Sequence, residues 1–327
     1  MADLAKMRNE IKKIVQRDDV KYVIGYEKGT YGWRVSPSFA RTPEEVDKFI
    51  FSPLCVNNLA VYLVLEEKLP LPKGVEKEKK KIGIVVKGCD SRSVVQLVQE
   101  KAISRDDVVI LGVPCSGVVD PRKMKEMFGK EIGTVAIEHK GEKYVIVIDG
   151  KKREVLKEEL VSENCKTCQY QNPVISDILI GDEIKEKKEE NYSKVKELEE
   201  KSTQERWDYW KEKFEKCIRC YACRNCCPVC NCKKCMAEKT TPVWIRRSVS
   251  LSENAGFHIM RSLHTAGRCI GCGSCERVCP MDIPLSKLYK KVEKDVIELF
   301  DYRAGLDEEE KPLLSVYSVD DSNEYIL

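Results

Sequence analysis

Cys217-Ile-Arg-Cys220-Tyr-Ala-Cys223-Arg-Asn-Cys226-Cys227-Pro228 and its near copy Cys269-Ile-Gly-Cys272-Gly-Ser-Cys275-Glu-Arg-Val-Cys279-Pro280 decide how this chain is read. Each run spaces three cysteines two residues apart, so that one tight loop aims three thiolates at a single point. The fourth cysteine follows just before a proline, and in two-cluster ferredoxins that residue ligates the other cluster. The expected ligand sets are therefore Cys217, Cys220, Cys223 and Cys279 on one 4Fe–4S cluster, and Cys269, Cys272, Cys275 and Cys227 on a second. Zinc also accepts four thiolates, but its sites usually come as CxxC pairs and not as duplicated triplets with a delayed fourth ligand. The pattern implies a one-electron carrier.

At 327 residues the chain has room for two or three domains with their own cores. Its 17 cysteines do not read as a secreted disulfide scaffold, because such chains are much shorter. The opening run MADLAKMRNEIKKIV puts Leu4, Met7, Ile11 and Ile14 on one helical stripe, unlike a secretory leader. Iron-bound thiolates need a reducing compartment, so the expected location is the cytoplasm. No apolar run approaches the ~20 residues that span a bilayer, so no membrane span is expected. The formal charge is +3, and three oxidised cubanes with their thiolates would take it to roughly −3. With no basic stripe interleaved with aromatics, nucleic acid is not an expected partner.

The expected architecture is an α/β N-terminal domain (1–182), a charged helical linker (183–216), a dicluster 4Fe–4S domain (217–290) and an irregular C-terminal tail (291–327). Short apolar runs at 22–24, 82–86, 108–113, 135–137 and 144–148 predict strands, and 92–101 predicts a helix between two of them. That alternation predicts at least one parallel crossover. The linker is dense in Glu and Lys, typified by Glu186 and Glu190, and only Trp207, Trp210 and Phe214 near its end could anchor it. The 41 residues 228–268 between the cysteine runs exceed the spacing of a compact bacterial ferredoxin. Segments 244–252 and 255–263 read as helical. The dicluster domain is thus either mainly helical or a small ferredoxin-like fold.

Four further cysteines occupy loops of the first region. Cys89 follows the strand KIGIVVKG, Cys115 follows VVILGVP, and Cys165 and Cys168 form a CxxC pair. Neighbouring parallel strands open onto one edge at their carboxyl ends. These four thiols can therefore converge on a third metal site, cluster or zinc, although buried cysteine is also an ordinary small hydrophobe.

The stretches GCDSRSVVQLV (88–98), VILGVPCSGVVDPRKM (109–124) and NCKTCQYQNPVISDILIGD (164–182) resemble the beta-subunit family of deazaflavin-reducing hydrogenases and formate dehydrogenases. Cys89, Cys115, Cys165, Cys168, Asp177 and Gly181 match its recurring turns. The resemblance implies a 4Fe–4S cluster on those four cysteines, with FAD beside it. This region is shorter than the family's usual catalytic core. CIRCYACRNCCPVCNCKKC and HTAGRCIGCGSCERVCPMDIPL also resemble formate dehydrogenase beta subunits, so the likeness spans most of the chain.

Cys230, Cys232 and Cys235 crowd the segment after the first run and could hold an additional cluster or zinc with one partner, Cys226 or a remote Cys55. The plainer readings are unligated cysteines shielding their neighbours, and packing for Cys55. Gly25, Gly29 and Gly32 match neither the dinucleotide fingerprint nor the Walker loop and read as a turn. His258 and His264 could donate hydrogen bonds to cluster sulfurs, though a surface or helix-end role is the plainer one. No catalytic residue is expected, since no Ser/His/Asp or paired-carboxylate arrangement is present.

The leading expectation is an iron–sulfur electron-transfer subunit of a multisubunit oxidoreductase: a hydrogenase, a formate dehydrogenase or a heterodisulfide-reductase-like assembly. One alternative is a flavin-containing subunit that itself oxidises or reduces a deazaflavin or nicotinamide coenzyme. The other is a structural zinc-bound scaffold protein.

Overall fold

The computed structural model describes residues 3–30, 32–65, 80–129, 135–148, 150–185, 189 and 191–315. Glu186, Glu190 and the last twelve residues of the expected tail lie outside them. The N-terminal region is built on a mixed sheet of β1 (Val20–Lys28), β2 (Val35–Ala40), β3 (Lys81–Val86), β4 (Val108–Gly112) and β8 (Ile178–Leu179). Their order is β2-β1-β3-β4-β8, with β2 antiparallel at one edge and the other neighbours parallel. The crossover from β3 to β4 runs through the helix Gly88–Gln99, which begins four residues earlier than expected. Strands β5 (Val135–Lys140), β6 (Lys143–Ile148) and β7 (Lys151–Leu156) form a separate antiparallel sheet.

Alternation along β1 divides the core. Tyr22, Ile24 and Tyr26 face one side with Ile84, Val86, Val94, Leu97 and Ile110, and the second sheet adds Ile137, Tyr144 and Ile146 to that layer. Val23, Val85, Val109 and Leu111 face the other side, where they bury Met7, Ile11 and Ile14 of the helix Leu4–Val15. Asp3 caps that helix by accepting from the backbone amides of Ala5 and Lys6. Gly25, Gly29 and Gly32 belong to the β1–β2 hairpin. There a Cβ on Gly25 would enter the Phe49 ring and one on Gly29 would meet the Arg34 carbonyl. Leu59, Leu63 and Val64 face the core, Leu59 on the short 3-10 helix Leu59–Tyr62, and Cys55 is fully buried there.

From residue 191 to 315 no strand occurs, so of the two forms expected for the cysteine-rich module the helical one is found. The linker carries helices Ser193–Glu199 and Thr203–Glu215. Phe214 is its buried anchor, whereas Trp207 is 40% exposed. The helix Leu251–His264 covers the expected 255–263, but 244–250 is irregular. Its Val, Ile and Ser content favours extended backbone and side-chain hydrogen bonds over helix, and Ser250 stands at the N-cap. The helix Leu285–Phe300 runs ten residues into the stretch expected to be irregular, because Leu285, Tyr289 and Val296 bury one stripe.

This module docks on the helix Gly88–Gln99. Buried Arg92 donates from Nη2 and Nε to the Ala304 carbonyl (2.7 and 3.2 Å) and from Nη1 to the Ile270 carbonyl (3.2 Å). Arg268 pairs with Glu100 at 2.5 Å. Among the described residues no helix is long and apolar enough to cross a membrane.

Candidate metal centre

The carboxyl edge of the parallel sheet brings the four loop cysteines together. Cys89 sits in the first turn of the helix after β3, and Cys115 follows β4 with its amide donating to the Gln171 carbonyl (2.8 Å). Cys165 lies in the short helix Glu163–Lys166, whose turn starts at Ser162. Cys89, Cys115, Cys165 and Cys168 line one cavity of about 30 Å³, and Cys272 of the second cysteine run lines it too. Burial and the neighbouring Cys165 push the Cys115 thiol up to about 12. Burial and Asp90 push Cys89 well up, with Cys272 and Cys168 adding to it. Iron ligation takes the thiolate, so metal would displace these tightly held protons.

The first cysteine run is shaped by buried Asn254, whose Nδ2 donates to the carbonyls of Phe214 (3.0 Å), Cys217 (2.8 Å) and Val249 (3.2 Å). Tyr221 and Arg219 take left-handed backbone here, as Gly273 and Gly271 do in the second run, and the two loops share this turn. Burial raises the Cys217 thiol, and Cys279 and Cys220 add to the rise. Burial likewise takes Cys223 up to about 11, with Cys217 and Cys279 among its neighbours. Cys279 thus lies beside the first run, across 56 residues of sequence from Cys223. In the second run burial takes Cys269 up to about 12 and also raises Cys275 well above the ordinary value, each with Cys272 close by. The Cys227 thiol, hydrogen-bonded to Cys230 and raised by it, also feels Cys272.

His258 does more than a helix-end residue would. It is buried, stacked on Phe214 with ring centroids 4.9 Å apart, and its Nε2 is 3.4 Å from Cys217 Sγ. Burial, with Arg261 and Arg219 nearby, takes its pKa down to about 3, so the ring is neutral and one nitrogen can donate to the sulfur.

The remaining cysteines separate. Cys55 sits in the α/β core, its Sγ accepting from the Ser52 amide (3.3 Å), far from any partner set. Cys226 faces a cavity of about 160 Å³ with Asn57, Tyr62 and Arg277. Cys230, Cys232 and Cys235, with Cys227, line a cavity of about 260 Å³. Among the described residues no three His, Cys, Asp or Glu close on a single ion, as zinc requires.

Sequence reasoning missed the basic residues of the site. Arg277 is buried between the two cysteine sets: it donates from Nη1 to the Cys272 carbonyl (2.8 Å) and from Nη2 to the Val56 carbonyl (2.9 Å). Burial opposes its charge, but Cys165, Cys272, Cys89 and Cys275 together hold its pKa above the ordinary value. Lys87 closes the other side of the same cavity. The signal available was position: an arginine inside the second run, and a lysine at the end of an apolar strand immediately before Gly-Cys.

One common site for a dinucleotide's pyrophosphate is a helix N-terminus at this edge of the sheet. The helix after β3 cannot offer one. A Cβ on Gly88 would stand 1.9 Å from the Tyr170 carbonyl oxygen, so that end is already covered by backbone. The start of that helix therefore does not fit a dinucleotide pyrophosphate.

Residues 79–196 match the C-terminal family of the coenzyme F420 hydrogenase/dehydrogenase beta subunit, and residues 216–284 match a 4Fe-4S dicluster domain. A similar protein is the F420-dependent formate dehydrogenase subunit beta of Methanocaldococcus jannaschii, 26% identical over 72% of this chain and 77% of that protein. Another is the F420-dependent formate dehydrogenase 1 subunit beta of Methanococcus maripaludis, 25% identical over 52% of this chain and 45% of that one. A chain from the F420-reducing NiFe hydrogenase complex of Methanosarcina barkeri superposes with a TM-score of 0.36 at 15% identity, over 51% of this chain and 58% of that one.

Proposed function

We propose that this chain, in which an F420 hydrogenase/dehydrogenase beta-type region precedes a 4Fe-4S dicluster domain, is an iron–sulfur electron-transfer subunit of a multisubunit oxidoreductase. The assembly would be of the hydrogenase, formate dehydrogenase or heterodisulfide-reductase-like type. The observation that carries this reading is Cys272 sharing a cavity with Cys89, Cys115, Cys165 and Cys168. A cluster on that set would abut the cluster of Cys269, Cys272, Cys275 and Cys227, which in turn neighbours that of Cys217, Cys220, Cys223 and Cys279. Cys220 is exposed, so the far end of this line meets solvent, where electrons could pass to or from a partner protein. The clusters supply the redox chemistry, and the chain supplies burial, hydrogen bonds and spacing. Arg92, Arg268 and Arg277 fix the module against the sheet, which keeps those spacings constant.

The test is iron and acid-labile sulfide per chain after strictly anaerobic purification, with reductive titration followed by EPR. At least about 12 irons, four per cubane, and reducible cubane signals are expected. About 8 irons would remove the cluster on Cys89, Cys115, Cys165 and Cys168. A chain with no reducible cubane would end the whole reading.

Arg277 should raise the potential of both clusters it separates, since a cation favours the more negative reduced state. A unit charge ~10 Å away at an effective dielectric of about 20 is worth roughly 1.7 kcal/mol, or about 70 mV on a one-electron couple. Arg277→Met should lower both midpoints by about that amount in a spectroelectrochemical titration, and Arg277→Lys should recover part of it. Unchanged midpoints in the Met variant would remove Arg277 from this role.

A further inference from the structure

We propose that Cys230, Cys232 and Cys235 hold a further iron–sulfur cluster through three thiolates, with its fourth corner open to the cavity they line. The proposal rests on the chain carrying the dicluster domain, and adds a site that eight ferredoxin-type ligands do not account for.

Three features of that cavity point the same way. It encloses about 260 Å³, and a cavity of ~150 Å³ already takes a benzene, so an inorganic core of four irons and four sulfides has space. Its walls carry Arg224, Lys233, Arg261 and Arg268 against one carboxylate, Glu238, and a cubane with its thiolates carries net negative charge. The thiols also have guanidinium neighbours: Arg261 hydrogen-bonds Cys230, Arg224 hydrogen-bonds Cys235, and Arg268 lies near Cys232. Guanidinium N–H groups placed there would donate to cluster sulfur.

Arg224 Nη1 and Arg261 Nε are buried and have no hydrogen-bond acceptor among the described residues. An unmet buried donor costs about 1–3 kcal/mol. Sulfide and thiolate sulfurs in the cavity would accept from both.

The loop is held ready for such a role and is not a loose excursion. Arg224 pairs with Glu238 at 2.9 Å beyond the last cysteine. Asn231, between Cys230 and Cys232, donates to Glu100 (2.8 Å) and accepts from Arg268 (3.0 Å). Val229 and Ala237 are buried on either side. The fourth ligand expected from sequence is not available, because Cys226 faces a different cavity and Cys55 lies in the α/β core. Cys227 does face this cavity, but it is the Cys-Pro residue of the first run. The metal-free Cys227 and Cys230 thiols are close enough to hydrogen-bond, so the two clusters would stand side by side. The site is therefore an off-line branch next to the second dicluster cubane, open on one side to a small anionic or thiolate ligand.

The experiment compares the anaerobically reconstituted full chain with the Cys230→Ser/Cys232→Ser/Cys235→Ser variant. The wild-type chain should bind about 16 irons and 16 sulfides, and the triple variant about 12 of each with unchanged dicluster EPR signals. A wild-type chain that stops at about 12 irons with normal dicluster signals, and a triple variant that holds the same number, overturn this proposal alone. So does one zinc per chain that the triple variant loses without loss of sulfide. If the triple variant does not retain its dicluster, native mass spectrometry of the wild-type chain decides instead: four cubane increments support the site and three overturn it. Loss of dicluster signals in the wild-type chain would instead count against the electron-transfer reading.

Discussion

Gly88→Ala is expected to strip the chain of the cluster on Cys89, Cys115, Cys165 and Cys168 while leaving the dicluster pair in place. On helix propensity alone the change would help, since alanine is favoured over glycine in a helix by about 1 kcal/mol. Space decides otherwise. The new Cβ would stand 1.9 Å from the Tyr170 carbonyl oxygen and 2.8 Å from that of Asn172. Both are backbone atoms of the segment following the CxxC pair, and that segment is pinned on several sides. Gln171 accepts from the Cys115 amide at 2.8 Å, and Asn172 exchanges two hydrogen bonds of 2.9 Å with Ile184. Val174 donates to Ser91 Oγ at 2.9 Å. Relief therefore requires moving either Cys89 or Cys168, each two residues or fewer from the clash. The expected stability loss is about 3 kcal/mol, the upper range for overpacking. The bound iron should fall by about four per chain, with the dicluster EPR signals retained. A Gly88→Ala chain with full iron and wild-type stability would show that the two loops do not meet as described.

How far the sequence could be read follows from where the information lay. Cysteine spacing is a covalent pattern, so the eight ferredoxin-type positions and the four loop cysteines could be named without any fold. Strands β1, β3, β4, β5 and β6 were legible because buried strands concentrate Val, Ile and Tyr. Strand β7, Lys-Lys-Arg-Glu-Val-Leu, is exposed along nearly its whole length and has no apolar run to detect. Strand β2 contains Pro37, tolerable only because β2 is an edge. The segment 244–252 read as helical, but Trp244 and Val249 are 64% and 58% exposed and Ile245 is the residue of 244–250 that reaches a core. Long-range partners were the least legible. Nothing local says that Arg92 reaches residue 304 or that Asn254 ties up the carbonyl of Cys217, because those pairings exist only once the module has docked.

Lys87→Met is expected to destabilise the chain by about 3–5 kcal/mol, through the carboxylate it abandons. Lys87 is 3% exposed and Asp90 fully buried. The Lys87 Nζ lies 2.8 Å from Asp90 Oδ2, donates to the Asn57 carbonyl at 2.8 Å and bonds the Tyr26 hydroxyl. Burial alone would lower the lysine pKa, but Asp90 and Tyr26, with Cys89 and Cys115 behind them, raise it well above the ordinary value. A raised lysine pKa contributes stability that is complete below the unfolded value of ~10.4 and lost only as pH rises through the folded one. The pair therefore acts at full strength throughout the neutral range. Lys87→Met/Asp90→Leu should recover most of the loss, since an apolar pair of similar volume removes the stranded charge. Denaturant midpoints of the anaerobically purified chains, compared at unchanged m, measure all three. A single variant within 1 kcal/mol of wild type, or a double variant no better than the single, would mean that this buried pair does not hold the strand end from which Cys89 is presented.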